Sequence, residues 1–156
     1  MTQNNKIKIA VIGLGVMGSL HVRDIDALEI TELAAICDTD QPKADKFAEQ
    51  YGIPAFYNYA EMLAKIELDA VLIATPHYDH PQIAMDAFER GIHVLTEKPI
   101  AVHVQAAQEM IAAYETAQKK FKNLLFAAMF QQRTYGFWKK IKSLIDEDEL
   151  GKLVRT

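Results

Sequence analysis

The hexapeptide Gly13-Leu14-Gly15-Val16-Met17-Gly18 constrains this chain more than any other feature. It follows an apolar run, Ile7-Lys8-Ile9-Ala10-Val11-Ile12, and opens a stretch that can be helical. Strand, glycine turn, helix is the context in which G-x-G-x-x-G marks a dinucleotide site; elsewhere the pattern says little, because glycine turns are common. Gly13 permits the tight turn off the strand, Gly15 lets a pyrophosphate approach the backbone, and Gly18 lets the helix pack closely on the strand. The helix N-terminus then offers free N–H groups and a partial positive charge. Leu14, Val16 and Met17 lie between the glycines and belong to the same candidate phosphate-binding turn.

A second half of the fingerprint follows. Leu33-Ala34-Ala35-Ile36-Cys37 reads as a buried parallel strand ending at Asp38, near the roughly 20-residue spacing expected after the first glycine. A carboxylate there can accept hydrogen bonds from the ribose hydroxyls of NAD, and it repels the extra phosphate of NADP. The next residues are Thr39, Asp40 and Gln41, with no Arg among them, so NAD is expected in preference to NADP. Asp38 can instead cap the following helix, but Thr39 or Asp40 can fill that role and leave Asp38 free.

At 156 residues with half of them hydrophobic, the chain suits one domain with a sizeable core. The formal charge is −4 and the basic pairs Lys119-Lys120 and Lys139-Lys140 are isolated, so no nucleic-acid partner is expected. The longest strongly apolar stretch, Leu124 to Phe130, is far too short to span a bilayer. The first six residues are polar and run straight into a strand, without the apolar region of a signal peptide. The expectation is a cytoplasmic protein without a membrane partner. Cys37 is the single cysteine; it reads as a small core residue rather than a nucleophile.

Strand and helix signals alternate along the chain, which predicts an α/β fold with a parallel sheet covered on both faces. Pro42 suits a first helical turn, and Ala44, Phe47, Ala48 and Tyr51 recur at helical spacing until Gly52. Ala55-Phe56-Tyr57 is a short strand. Asn58 with Glu61 forms a capping pair for a brief helix. Ala70 to Ala74 is the next buried strand. Asp79 caps a helix with Pro81 in its first turn and Ile83, Ala84, Ala87 and Phe88 facing the sheet, and Gly91 stops it. Ile92 to Leu95 is a fifth strand. A helix over about Val102 to Lys120 turns Ala107, Met110, Ile111 and Tyr114 inward, and Leu124 to Met129 is a sixth strand. The count fits a Rossmann-type doubly wound sheet of about six strands in the order 3-2-1-4-5-6, with the cofactor crossing between strands one and four. Beyond it, Phe137, Ile141, Leu144 and Ile145 give an amphipathic helix, and Leu150 to Thr156 begins what reads as a further strand.

Three more motifs accompany the glycine turn: Thr75-Pro76-His77-Tyr78-Asp79-His80, Gly91-Ile92-His93-Val94-Leu95-Thr96-Glu97-Lys98-Pro99, and Leu150-Gly151-Lys152-Leu153. Together they resemble the Gfo/Idh/MocA oxidoreductases, the glucose–fructose oxidoreductase and inositol dehydrogenase group. The resemblance covers essentially the whole chain. It implies an N-terminal NAD(P)-binding Rossmann domain over residues 1–134, with residues 135–156 leading into a C-terminal α/β domain that this sequence does not hold. The absent domain, by the resemblance, carries much of the substrate site and commonly the oligomer interface. The chain is therefore expected to bind cofactor with little turnover of its own, and to be a homo-oligomer through the sheet edge and the helix bearing Phe137, Ile141 and Leu144 that the absent domain leaves uncovered. Two other readings stand beside this one: an NAD(H)-sensing module without chemistry, and a fragment whose exposed apolar face drives association.

The resemblance places the lysine of Glu-Lys-Pro, here Lys98, near the nicotinamide and the substrate hydroxyl. A lysine at the carboxyl end of a parallel strand near the switch point can hydrogen-bond the hydroxyl being oxidised and stabilise developing negative charge; the other reading is a solvated surface lysine. Pro99 is a candidate for a cis peptide bond, by family likeness. Glu97 orients that loop or pairs with a cation, or else is an exposed charge. Thr75 and Pro76 fall where the family's loop lines the cofactor. His77 stands where the family more often has asparagine and can contact a ribose or substrate hydroxyl. His80 matches a family histidine, and either packs near the nicotinamide or satisfies nearby backbone. Arg133 resembles the family's arginine at the domain junction; it positions substrate, braces the interface, or is a surface charge. Trp138 packs the last helix or, as an aromatic at a domain junction, touches substrate. His77 and His80 lack a third ligand nearby in sequence, so no metal is expected. His93 is read as a hydrogen-bonded strand residue, while His21 and His103 are expected to be exposed or capping. The implied reaction is hydride transfer between a nicotinamide cofactor and a secondary alcohol of a sugar, polyol or related metabolite.

Overall fold

The computed structural model describes residues 6–152 and residue 154. Six parallel strands form one sheet in the order β3-β2-β1-β4-β5-β6. They are β1 (Ile7–Ile12), β2 (Thr31–Cys37), β3 (Ala55–Phe56), β4 (Ala70–Ile73), β5 (His93–Thr96) and β6 (Phe126–Ala128). The helices between them are α1 (Val16–Ala27), α2 (Gln41–Tyr51), α3 (Tyr59–Lys65), α4 (His80–Glu89) and α5 (Val104–Lys120). A 3-10 turn at Gln131–Thr134 and α6 (Gly136–Asp146) follow β6.

Side chains alternate across a strand, so each face of the sheet collects its own apolar set. Val11, Ile36 and Leu72 pack with Val22 and Ile25 of α1 and Ala44 of α2 on one face. Ala10, Ile12, Val71, Ile73 and Val94 pack with Met62 of α3, Ile83, Ala87 and Phe88 of α4, and Met110 of α5 on the other. The order reverses at β1, which pairs with β2 on one side and β4 on the other. A crevice opens there at the carboxyl ends of the strands, where α/β sheets of this kind hold their ligands.

The predicted element order and sheet topology are those observed. Several local expectations differ. Asp79 occupies the N-cap of α4 but makes no side-chain capping bond, because its backbone is helical (φ −88, ψ −19) rather than extended. Asn58 Oδ1 accepts from the N–H groups of Ala60 and Glu61, whereas the Glu61 carboxylate goes to Lys65 instead of closing the box. Along α5 the inward stripe runs through buried Met110 and Ala117 and partly buried Tyr114, which turns Ile111 outward at 41% exposed. Leu124 is buried just ahead of β6 rather than within it. Among the described residues none of α6 is fully buried; its only substantial contact is with the preceding 3-10 turn. Trp138 does pack locally, with its ring 5.1 Å from Phe137 and Nε1 donating to Gln132 Oε1 at 2.7 Å. The strand expected from Leu150 does not form among the described residues: Leu150 is in a turn and Gly151, Lys152 and Val154 are in no strand, while Leu153, Arg155 and Thr156 lie outside the described residues.

Candidate functional site

The glycine turn is built by exclusion of side chains at two positions and by an opening at the third. Gly13 has φ +91, and a Cβ there would stand 2.7 Å from the carbonyl of Ala74. A Cβ on Gly18 would stand 1.8 Å from the Gly13 oxygen. Both glycines therefore close-pack α1 against the β1 and β4 ends. Gly15 differs: nothing lies within 4 Å of its missing Cβ. It is the N-cap of α1 and supplies no side-chain cap, so the first amides of α1 point at open space. Val16 and Met17 are exposed beside that opening, whereas Leu14 is buried and takes part through its backbone.

Asp38, one residue past β2, binds this turn directly. Its Oδ2 accepts from Leu14 N–H at 2.6 Å and its Oδ1 accepts from Asp40 N–H at 2.8 Å. The helix cap is left to Asp40, which accepts from Lys43 N–H; that bond holds the Asp40 carboxyl below its ordinary range. A carboxylate offers about four lone-pair directions, so Asp38 retains acceptor capacity toward a ligand. Lys43, unremarked in the sequence, brings Nζ to 3.9 Å from Asp38 and 3.3 Å from Asp40. The i, i+3 spacing of Asp40 and Lys43 was the available signal.

Asp38 and Gly13 line a cleft of about 440 Å³ together with Thr39, Tyr57, Tyr59, Thr75, Pro76 and Gln82. Tyr57 and Tyr59 were not singled out in the sequence; a short strand followed at once by a helix carries both to the cleft wall. Burial and a hydrogen bond to Asp86 push the Tyr59 phenol up to about 12. Burial, then the charge of Asp38, push the Cys37 thiol up to about 12, so this buried thiol is no nucleophile at neutral pH. The Thr75 hydroxyl is buried without a hydrogen-bond partner. Buried polar atoms are normally paired, and a ligand in the cleft is a natural partner for this one. The open space over Gly15, the acceptor at Asp38 and the orphaned Thr75 hydroxyl fit an adenine dinucleotide.

The Glu-Lys-Pro turn follows β5 at the same edge of the sheet. Glu97 N–H donates to Ile73 O at 2.8 Å, which ties the turn to the end of β4. Lys98 is exposed, and its ammonium forms no ion pair among the described residues. The Lys98–Pro99 peptide is cis. Glu97 is buried and its Oε1 lies 2.7 Å from Nε2 of His21, itself buried on α1. The expectation that His21 is exposed or capping is thereby corrected. His21 falls on the packed face of α1 because Gly18, His21, Val22 and Ile25 share one helical stripe, a pattern legible in the sequence.

His80 is fully buried, with Nδ1 2.9 Å from Pro99 O and Nε2 2.9 Å from Thr75 O. Of its two expected roles, the contact with backbone is the one its position provides. A neutral imidazole has a single N–H, so it donates to one of these carbonyls, and to both only when protonated. His77 is exposed with its ring 5.6 Å from that of His80. His93 accepts from Leu125 N–H, a structural contact as expected, and His103 is the exposed N-cap of α5. Arg133 sits in the 3-10 turn over the Phe130 ring, 5.7 Å from its centroid. It lines a separate groove with Trp138 and Lys139, not the Asp38 cleft. Among the described residues no three His, Cys, Asp or Glu side chains cluster as metal ligands, and no helix is long and apolar enough to cross a membrane.

A doubly wound sheet with a phosphate-binding turn at its switch point defines a nucleotide-binding Rossmann domain. Comparison with known proteins narrows that class. Residues 7–124 match the Gfo/Idh/MocA oxidoreductase family in its NAD-binding Rossmann fold. The chain is 34% identical over 140 residues to an alpha-N-acetylgalactosaminidase of Shewanella oneidensis, covering 83% of this chain and 29% of that protein. The WlbA dehydrogenase of Bordetella pertussis, solved with NADH and UDP-GlcNAcA, superposes with a TM-score of 0.86 at 27% identity over 95% of this chain and 44% of that one. The scyllo-inositol dehydrogenase of Lactobacillus casei, solved with NAD(H) and scyllo-inositol, gives 0.84 at 27% identity over 95% and 43%. The chain thus spans less than half the length of each of these proteins. It belongs to the Gfo/Idh/MocA oxidoreductase family, of which it forms the NAD-binding Rossmann domain.

Proposed function

We propose that this chain is the cofactor-binding part of an NAD-dependent dehydrogenase acting on a secondary alcohol of a sugar, polyol or nucleotide-linked sugar. The observation that carries the reading is the union of Asp38 with the glycine turn. The acidic side chain and the open helix N-terminus form one continuous surface, with the Leu14 amide shared between them. NAD, when bound, supplies the hydride-accepting nicotinamide. Amides at Gly15, Val16 and Met17 hold the diphosphate, and Asp38 accepts from the adenosine ribose hydroxyls. Its negative charge at the place of a 2′-phosphate favours NAD over NADP. Thr75 and Pro76 wall the crevice between the two halves. His77 stands exposed at its rim, and His80 packs behind the Thr75 and Pro99 carbonyls within hydrogen-bond distance of both.

Lys98 is the residue placed to act on substrate. Its exposed ammonium extends from the end of β5, next to the switch point, where it can donate to the reacting hydroxyl and stabilise the charge that develops as the proton leaves. Arg133 braces the junction toward a second domain. The substrate class is supported by the inositol and UDP-sugar ligands of the related structures. We take residues 1–134 as the dinucleotide-binding domain and 135–156 as the lead into the remainder found in relatives. On this reading the 156-residue chain binds cofactor with little turnover. Fluorescence titration with NADH and NADPH tests it: saturable NADH binding, tighter than NADPH, is expected. Equal or absent binding of both overturns the cofactor assignment.

A further inference from the structure

We propose that His21 is a positioning residue for Lys98, acting through Glu97, so that the helix receiving the diphosphate and the turn carrying the lysine behave as one rigid body. The inference rests on the dinucleotide reading above and adds a residue to it. Glu97 is 6% exposed and uses both carboxylate oxygens. Oε1 faces His21 Nε2 at 2.7 Å, and Oε2 accepts from Lys98 N–H at 3.2 Å. With Glu97 as carboxylate, Nε2 of His21 is the donor. The side chain therefore bridges α1 to the peptide nitrogen of Lys98. Its own N–H is fixed to β4 through Ile73 O. On the far side of the lysine, Pro99 O meets Nδ1 of His80, whose Nε2 meets Thr75 O. Lys98 stands between two neighbours anchored by buried histidines, with its own side chain free in solvent.

Stability alone does not call for this arrangement. A buried hydrogen-bonded pair replaced on both sides by apolar groups of the same shape is often no less stable, and the neighbours of His21 on α1, Val22 and Ile25, are apolar and buried. What a hydrogen-bonded pair supplies and an apolar pair does not is a fixed separation and direction. His21 lies one turn beyond Gly18, whose missing Cβ already sets α1 hard against Gly13. The glycine contact fixes the near end of the helix, and the His21–Glu97 bond passes that position to the turn. Among the described residues, neither His21 nor Glu97 lines the cleft at Asp38 and Tyr57, its adenosine half.

That separation supplies the test. NADH and adenosine diphosphate ribose share the adenosine, the diphosphate and the second ribose, and only NADH carries the nicotinamide, the group that reaches the Lys98 side of the crevice. We expect His21→Leu to weaken NADH by about tenfold while adenosine diphosphate ribose stays within about twofold of wild type. His21→Gln, whose amide donor stands in for the imidazole Nε2–H, should recover most of the loss. Glu97→Gln, which keeps the side-chain volume, should show the same split and decides the matter if His21→Leu fails to fold. Both ligands weakening by one factor would mean general damage to the domain and would overturn the proposal, as would no change in either. A wild-type chain that bound neither ligand would instead overturn the dinucleotide reading, and this inference with it.

Discussion

The Leu14 amide and the Asp38 carboxylate lie 2.6 Å apart, so residues separated along the chain by a helix and a strand are joined by one hydrogen bond. Leu14 buries its side chain in the core while its N–H faces Asp38. The acid is thus held in register with the turn before any ligand arrives.

Asp38→Ala should weaken NADH binding by about 1.5–3 kcal/mol, the usual worth of hydrogen bonds to a charged group. It removes the ribose acceptor and also leaves the Leu14 and Asp40 amides without their partner. NADPH should lose less, because the repulsion of its phosphate disappears with the carboxylate. Parallel titrations of the two reduced cofactors measure both effects, and an unchanged NADH affinity would remove Asp38 from the site.

Gly18 and Gly15 should respond differently to one added methyl group. Gly18→Ala forces a carbon to within 1.8 Å of the Gly13 oxygen, so α1 has to move off the strand, and a loss of roughly 1–3 kcal/mol of stability is expected as for overpacked cores. Gly15→Ala meets nothing within 4 Å and has an ordinary φ of −65; its thermal midpoint should stay close to wild type while dinucleotide binding falls sharply. Thermal denaturation and cofactor titration on the same two variants separate folding from phosphate approach. A Gly15→Ala protein with normal affinity would move the diphosphate elsewhere.

The contrast between these glycines marks how far the sequence could be read. Their spacing after an apolar run marked the turn, and alternating strand and helix periodicity marked the elements, because both signals are local; the sheet order came with the doubly wound pattern those elements fit. Asp38 was legible for the same reason, since a strand end fixes where its side chain can reach. His21 was misjudged because a helical position alone does not say which side is buried; the stripe through Gly18, Val22 and Ile25 does. The tyrosines of the cleft and Lys43 were missed because their placement depends on how β3 and α2 dock, a tertiary matter. The apolar residues of α6 carry a clear amphipathic pattern yet find no core among the described residues, since periodicity reports that a face wants covering, not what covers it.

Alkaline pH should destabilise the fold. The Cys37 thiol ordinarily ionises near 9.0 and is held to about 12, and the Tyr59 phenol moves from 10.0 to about 12. Above pH 9 the unfolded chain therefore releases protons that the folded chain keeps. Stability is fully present below that point and is lost progressively as pH rises toward 12. Thermal midpoints measured between pH 7 and pH 11 should fall on the alkaline side, with a shallower slope in Tyr59→Phe. Iodoacetamide at pH 8 should leave Cys37 unlabelled until denaturant is added; rapid labelling of the folded protein would show that the thiol is neither buried nor shifted.

The apolar face of α6 should drive self-association. Phe137, Trp138, Ile141 and Ile145 are each between 38% and 57% exposed, and they lie on one side of a helix that touches little besides the 3-10 turn. Contiguous apolar patches of this kind are sites of association, and two copies meeting through the same face bury it on both at once. Sedimentation velocity at increasing concentration should show species larger than a monomer in the micromolar range. Phe137→Ser with Ile141→Ser should return the chain to a monomer without lowering its thermal midpoint, because neither residue belongs to the core beneath the sheet. A wild-type chain that sediments as a clean monomer throughout that range would show that the face stays uncovered at no cost to solubility, and homo-oligomerisation would then have to be sought elsewhere on the surface.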